Sequence, residues 1–368
     1  MKIQLRKPFF PNKSIIRIQN QIKNVMKSGQ LTLGENVKIF EEDFAKYFHV
    51  KFAVGVSSAT AGLHISLLSL GIKKDDEVIV PAKTFISTAN AALYCNAKPI
   101  FCDVDESTFQ LDPSKIEQLI TKKTKAIIPV HLGGNICEMK KIKKIAKKHN
   151  LSIVEDAAHA HGSTLRGQFA GTFGEIGVFS FYPDKIMASS DGGIIITNNR
   201  KLFKKLILLR NVGRKSIGEY DYTEIGYNYR MNEIQAILAR EQLKLLPKML
   251  QKRRAITKKY DSKFKDLSNI KIQKISKDVN SGYYAYIMKL KKGNLKKFRA
   301  NLLKKGIETS PMFTTIYKTK IYKKFKTRNY YCPNSEKLDS ETFTIPLHPG
   351  LTSKEVDYVI QEIKNQDN

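Results

Sequence analysis

Across the first two-thirds of the chain, short apolar and β-branched runs alternate with longer segments whose apolar positions recur at helical spacing. The short runs fall at 52–56, 77–81, 98–103, 126–129, 152–155, 176–180 and 193–197 and read as strands. Between them, 61–70, 85–94 and 139–148 read as helices. In the last of these, Ile142, Ile145 and Ala146 face inward, while Lys140, Lys141, Lys143, Lys144, Lys147 and Lys148 form a solvated side. This alternation predicts an α/β fold built on a large, mainly parallel sheet. The pattern changes after a long helix expected at about 232–255. A strand at 283–290 and helices at 295–305 and 354–364 predict a smaller α+β unit, dividing the chain into 1–245 and 246–368.

Composition changes this picture little; charge raises a question. The 368 residues are 42% hydrophobic and 27% charged, which argues against wholesale disorder. Lys and Arg number 64 against 34 Asp and Glu, a net +30 that first suggests a nucleic-acid partner. Yet 52 of those cations are lysine and 12 are arginine, whereas nucleic-acid readers lean on the arginine fork. The excess is also spread through both halves, so compositional bias explains it better, and no nucleic acid is expected. Cys95, Cys102, Cys137 and Cys332 form no CxxC pair and have no clustered histidines. Neither a metal site nor a disulfide framework is expected, and a reducing compartment fits. The basic N-terminus lacks the apolar core of a signal peptide, and no apolar run approaches the roughly 20 residues of a membrane helix. A cytoplasmic protein is expected.

Candidate chemistry lies in VEDAAHAHGS (154–163) and GVFSFYPDKIMASSDGG (177–193). The pattern places Asp156 just past the end of a buried strand, where α/β sheets present groups to ligands. An aspartate there calls for a cationic or hydrogen-bonding partner. Lys185 follows a Ser-Phe-Tyr-Pro-Asp turn after another strand. A lysine desolvated in such a place has a lowered amine pKa and can form a Schiff base with an aldehyde. An acid for a pyridinium nitrogen and an imine-forming lysine are the two groups that pyridoxal phosphate demands. Val56-Ser57-Ser58-Ala59-Thr60-Ala61 supplies a phosphate site: a strand end and a small hydroxylated turn leading into a helix N-terminus. Thr60 adds a hydroxyl, Ser180 a second, and Phe85 is placed against the ring. Each signal alone is weak, since most lysines are surface residues, and Ser-Ala-Thr-Ala before a helix is usually only a cap. Their combination and order carry the weight.

With SGQLTLGENVKIFEEDFAKYF (28–48), DDEVIVPAKTFISTANA (75–91), TKAIIPVHLGG (124–134), IGYNYRMNEIQAIL (225–238) and IPLHPGLTSKEVDYVI (345–360), these blocks run nearly end to end. The sequence resembles the DegT/DnrJ/EryC1/StrS family of pyridoxal-phosphate sugar aminotransferases. That resemblance implies the fold-type-I aminotransferase architecture and pyridoxal 5′-phosphate as cofactor. It implies Lys185 as the internal-aldimine lysine and proton shuttle, and Asp156 as the partner of the pyridine nitrogen. His159 would lie near the cofactor's 3-hydroxyl, Thr60, Ala61 and Ser180 at its phosphate, and Phe85 on its ring. Asn228 would reach the phosphate across a homodimer interface, and Arg230 is the candidate for the amino donor's carboxylate. The implied substrates are L-glutamate and a nucleotide-linked keto sugar, for amino-sugar and surface-polysaccharide biosynthesis.

Some positions depart from the family pattern. Ala59 replaces a common glycine, which is harmless at negative φ, and Gly134-Asn135 stands where Tyr/Gly-Gln is frequent. The stretch 311–317, in the region that lines the family's sugar site, lacks a histidine often found there. Sugar 3-dehydratases of this fold carry histidine in place of the lysine, so Lys185 favours transamination. The eight residues from Ile186 to Gly193 resemble the branch that aminates C4 of 4-keto-6-deoxy sugars; amination at C3 is the alternative. A catalytically silent, regulatory or nucleic-acid-binding member of the fold is a further alternative, against which the intact Lys185/Asp156 pair stands.

Overall fold

The computed structural model describes residues 2–216, 218, 220–325 and 331–367. Among them, seven strands form the principal sheet: β1 (Phe52–Val56), β2 (Glu77–Pro81), β3 (Lys98–Cys102), β4 (Thr124–Ile127), β5 (Ser152–Asp156), β6 (Ile176–Ser180) and β7 (Gly193–Thr197). Their order is β1-β7-β6-β5-β4-β2-β3. Within it only β7 runs against the others, so the sheet is mainly parallel as expected. Four strand ends differ from the sequence reading: β3 stops one residue early, at Cys102, and β4 two residues early, at Ile127. β4 starts at Thr124, which lies in register opposite Glu77. β5 reaches Asp156, making this residue the last of the strand and not the first beyond it. The reason is backbone pairing: Asp156 N–H donates to the Pro129 carbonyl at 2.9 Å, and His131 N–H donates to the Asp156 carbonyl at 3.1 Å.

Among the described residues, seven α-helices lie between residues 12 and 264: α1 (Asn12–Ser28), α2 (Glu35–Tyr47), α3 (Ala59–Ser69), α4 (Ser87–Tyr94), α5 (Met139–Lys148), α6 (Arg200–Arg210) and α7 (Glu233–Phe264). Strand alternation sorts the buried residues between two layers. Ile194 and Ile196 pack with Phe40 and Phe44 of α2, Ile142 of α5 and Ala239 of α7. Ile195 packs the other way, with Leu63 of α3, Ala92 of α4 and Leu206 of α6. Phe40, Phe44 and Phe48 are fully buried against Phe179 and Phe181, each such burial contributing about 1.5–3 kcal/mol.

α4 starts two residues later than the pattern suggests, leaving Phe85 in the loop before it. α7 runs well past the expected end near 255 and passes residue 246 without a break. Asn232 and Gln235 cap it reciprocally. Pro247 removes one helical donor, but Leu243, Leu246, Met249 and Leu250 remain buried and hold the helix together.

Beyond α7, β8 (Ile270–Ile272), β9 (Tyr286–Leu290), β10 (Ser310–Pro311) and β11 (Thr342–Ile345) form an antiparallel sheet in the order β8-β9-β11-β10. It carries α8 (Leu295–Lys304), α9 (Pro333–Glu341) and α10 (Ser353–Lys364). The N-terminal arm joins this core, with Ile3 buried beside Ile307. Among the described residues, no helix is long and apolar enough to cross a membrane.

Candidate active site

β1, β5 and β6 point the same way, and residues at and just beyond their C-terminal ends line a cavity of about 710 Å³. This is the edge of an α/β sheet at which ligands bind. Thr60, Phe85, Asp156, His159, Ser180 and Lys185, all singled out from sequence, line it. Ala61, Asn228 and Arg230 do not. Ala61 lies one residue deeper in α3, its N–H donating to the Ser58 hydroxyl at 3.1 Å. Asn228 is exposed in the single chain, and Arg230 donates to the Asn211 side chain at 3.1 Å. Both belong to a segment that runs past the end of β1, where Ser57 N–H donates to the Tyr229 carbonyl at 2.8 Å.

The turn into α3 depends on close backbone approach. A Cβ on Gly193 would sit 2.6 Å from the Ala59 nitrogen, so glycine lets β7 begin directly against this helix end. Ala59 opens α3 with no positive φ, and its side chain introduces no strain. Thr60 donates its hydroxyl to Ser87 at 2.8 Å.

Lys185 Nζ lies 3.1 Å from His159 Nε2 and 3.2 Å from Asp184 Oδ1. It also donates to the Tyr284 hydroxyl at 3.4 Å. Burial lowers its amine below the ordinary value, while the Asp184 charge pulls the other way. The His159 ring stacks on Tyr284 with centres 3.8 Å apart. Burial, and then the Lys185 charge, hold this imidazole well below its usual range. Asp156 accepts from the Thr88 hydroxyl at 2.8 Å and from Ala158 N–H at 3.2 Å. Burial still raises its carboxyl above the ordinary value.

Arg6, Tyr284 and Phe313 are among the cavity side chains to which the sequence reading gave no role. Arg6 pairs with Asp184 at 2.8 Å and lies 4.4 Å over the Tyr284 ring. Tyr284 donates to Asp184 at 2.8 Å. Phe313 meets Phe85 and His159, each with ring centres 5.8 Å apart. Nothing local marks Arg6; the available signal is Asp184, a half-buried acid that a single lysine does not satisfy. The segment holding Phe313 was singled out for its missing histidine, and Pro311, Met312, Phe313 and Thr314 line the cavity.

The residues present fit pyridoxal phosphate. A buried amine faces the cavity, a helix N-terminus with hydroxyl groups borders it, and a carboxylate with two donors has room for a cationic N–H. Comparison with known proteins agrees. GDP-perosamine synthase of Escherichia coli O157:H7 is 37% identical over 331 residues, covering 90% of this chain and 90% of its own. The solved structure of S. venezuelae DesV in complex with a ketimine intermediate matches with a TM-score of 0.92 at 30% identity, covering 99% of each chain. The PLP form of Spr1654 from Streptococcus pneumoniae matches with a TM-score of 0.92 at 29% identity, covering 100% of this chain and 99% of that one. The family model spans residues 13–364, and the chain belongs to the DegT/DnrJ/EryC1/StrS aminotransferase family.

Proposed function

We propose that this enzyme transfers the amino group of L-glutamate to C4 of a nucleotide-linked 4-keto-6-deoxy sugar. It is a sugar aminotransferase, and its cofactor is pyridoxal 5′-phosphate. When bound, the cofactor serves as electron sink and carries the amino group between two half-reactions. The observation that carries the reading is the buried Lys185 amine, which faces the cavity within 3.1 Å of His159.

In this reading, burial keeps a fraction of Lys185 as free amine, able to take a proton from the amino donor's α-carbon and return one to the sugar carbon. Asp156, held by Thr88 and Ala158, would orient the pyridine nitrogen and keep it protonated. Ser180, and Thr60 once its hydroxyl turns from Ser87, would hold the phosphate at the α3 N-terminus, with Ala61 contributing by its position behind the Ser58 cap. Phe85 and His159, both on the cavity, would flank the ring. Asn228 and Arg230 act in a homodimer, the first on the neighbouring phosphate and the second on the glutamate carboxylate. The net exchange leaves 2-oxoglutarate and an amino sugar nucleotide.

The eight-residue Ile186–Gly193 stretch supports C4, and the likeness to GDP-perosamine synthase supports a nucleotide-linked sugar. The test is mass-spectrometric detection of amino-sugar nucleotide after incubating holoenzyme and glutamate with UDP-, GDP- and dTDP-linked 4-keto and 3-keto sugars. Product from a 4-keto-6-deoxy sugar is expected. Product from 3-keto sugars alone overturns the position, and product from none overturns the reading.

A further inference from the structure

The cavity's far wall rests on a buried lysine outside the chemistry. Lys83, two residues before Phe85, is 2% exposed. Its Nζ donates to Asp339 of α9 at 2.7 Å and to the Phe313 carbonyl at 2.9 Å. Asp339 in turn accepts the Thr315 N–H with both oxygens, at 2.9 and 3.0 Å. Ile316 N–H donates to the Ala82 carbonyl at 2.8 Å, and Lys83 and Thr315 form an antiparallel bridge. One ammonium group therefore ties the loop after β2, the start of the small unit's cavity segment and α9.

The backbone at the centre of this clamp is strained. Phe313 has φ of 52°, a left-handed conformation that a bulky side chain rarely adopts. Such a conformation persists only where surrounding contacts over-determine it. Here the contact is the Lys83 bond to the Phe313 carbonyl itself, with the Thr315–Asp339 bonds fixing the chain two residues on. The consequence is the position of the ring, which meets both Phe85 and His159 at the cavity.

We propose that Lys83 is a positioning residue for the acceptor sugar: it locks Phe313 in its left-handed turn, so that the ring gives the cavity an apolar wall suited to the methyl-bearing side of a 6-deoxy sugar. The choice of sugar rests on the proposed function; the locking of Phe313 does not. Lys83 makes no hydrogen bond or ion pair with Lys185 or Asp156 among the described residues, so it acts through the wall it holds and not on the reacting groups.

The chain contains no tryptophan, which gives a direct readout. In Phe313→Trp apoprotein, the one indole reports the wall's position through its emission and its quenching by acrylamide. Adding Lys83→Met is expected to red-shift the emission and raise quenching at least twofold, with unchanged far-ultraviolet circular dichroism. Should Lys83→Met misfold because half-buried Asp339 is left without its cation, Lys83→Met/Asp339→Asn removes both charges, keeps an acceptor for the Thr315 N–H and serves instead. In holoenzyme with native Phe313, either variant is expected to raise KM for the keto sugar about tenfold. The glutamate half-reaction, followed by cofactor absorbance, is expected to change less than twofold. Unchanged indole emission and quenching overturn the proposal, as does equal loss in both half-reactions. Failure of every keto sugar to react, with emission shifted as expected, overturns the functional reading while the positioning role stands.

Discussion

Glu155 and Asp156 are neighbours on β5, both acidic and both buried, and strand alternation sends them to opposite faces. Glu155 is saturated. It accepts from Gly171 N–H at 2.8 Å, Phe173 N–H at 2.5 Å and Gly174 N–H at 2.7 Å, and meets His131 Nε2 at 2.8 Å. Asp156 has only a hydroxyl and one long backbone donor, and it borders the cavity. The buried lysines divide in the same way. Lys83 is held by a carboxylate and a carbonyl, whereas Lys185 stands among His159, Tyr284 and Asp184 with its amine facing open space. Burial alone therefore does not mark chemistry. A buried charge sealed away from the cavity by its protein partners is holding the fold; one that borders the cavity, as Lys185 and Asp156 do, is available to a ligand.

The hardest test of that division is to remove each group. Lys185→Ala is expected to lower amino transfer by at least about 10³-fold, as loss of a covalent and proton-transferring group does. The visible absorbance of lysine-bound cofactor should vanish with it, while the urea unfolding midpoint of the apoprotein stays near that of the parent. Persistent lysine-bound absorbance in Lys185→Ala defeats the assignment.

The two carboxylates should then separate activity from stability. Asp156→Asn is expected to cost about 10²–10³-fold in transfer, by analogy with other preorganised electrostatic partners. It should leave the apoprotein as stable or more so at neutral pH. The sign follows from the raised carboxyl of Asp156. A folded-state value above the unfolded one means the folded chain binds the proton more tightly, so stability falls as pH rises from the unfolded value toward the folded one. Above both values the penalty is fully present, and the amide removes it. Glu155→Gln should do the reverse, destabilising by about 3–5 kcal/mol as a broken buried ion network does. Whatever protein folds should bind cofactor normally. Urea midpoints and kcat for the pair decide the matter; equal behaviour of the two variants would erase the distinction.

How much of this could be read beforehand depends on the range of the interaction. β1, β2, β6 and β7 have the bounds expected from their apolar runs, because a buried strand is written in consecutive residues. α2 was legible but left unread: Val37, Phe40 and Phe44 carry its buried stripe at helical spacing. The large-sheet side of the cavity was equally legible, since Asp156, His159, Ser180 and Lys185 each sit on or just after a strand. Arg6 and Tyr284 were not, because they meet Asp184 across 178 and 100 positions of sequence. Nor does any local pattern link Lys83 to Asp339, 256 residues on. A sequence pattern reports the elements a residue belongs to, whereas closure of the small unit over the sheet creates these contacts.

The smallest effect should come from Arg6, and it probes why Lys185 differs from Lys83. Burial lowers both amines, and each has an acidic partner that opposes the shift. At Lys185 the partner is shared: Asp184 also pairs with Arg6 at 2.8 Å, and Tyr284 donates to it at 2.8 Å. Asp156 adds a more distant negative charge, and His159 is the neutral neighbour. Arg6→Met leaves Asp184 free to hold Lys185 as ammonium, so the amine pKa should rise toward its ordinary value. At a fixed pH below that value, the free-amine fraction then falls, by up to about tenfold if the pKa climbs by about one. Pulse labelling of the apoprotein with an amine-reactive ester, read by mass spectrometry across pH, should show the Lys185 profile moving to higher pH in Arg6→Met. Lys83, sealed by Asp339 and Phe313, should label slowly in both proteins at every pH. If the Lys185 profile does not move, Asp184 is not the group that Arg6 restrains, and the shared carboxylate does not explain why one buried lysine is reactive and the other structural.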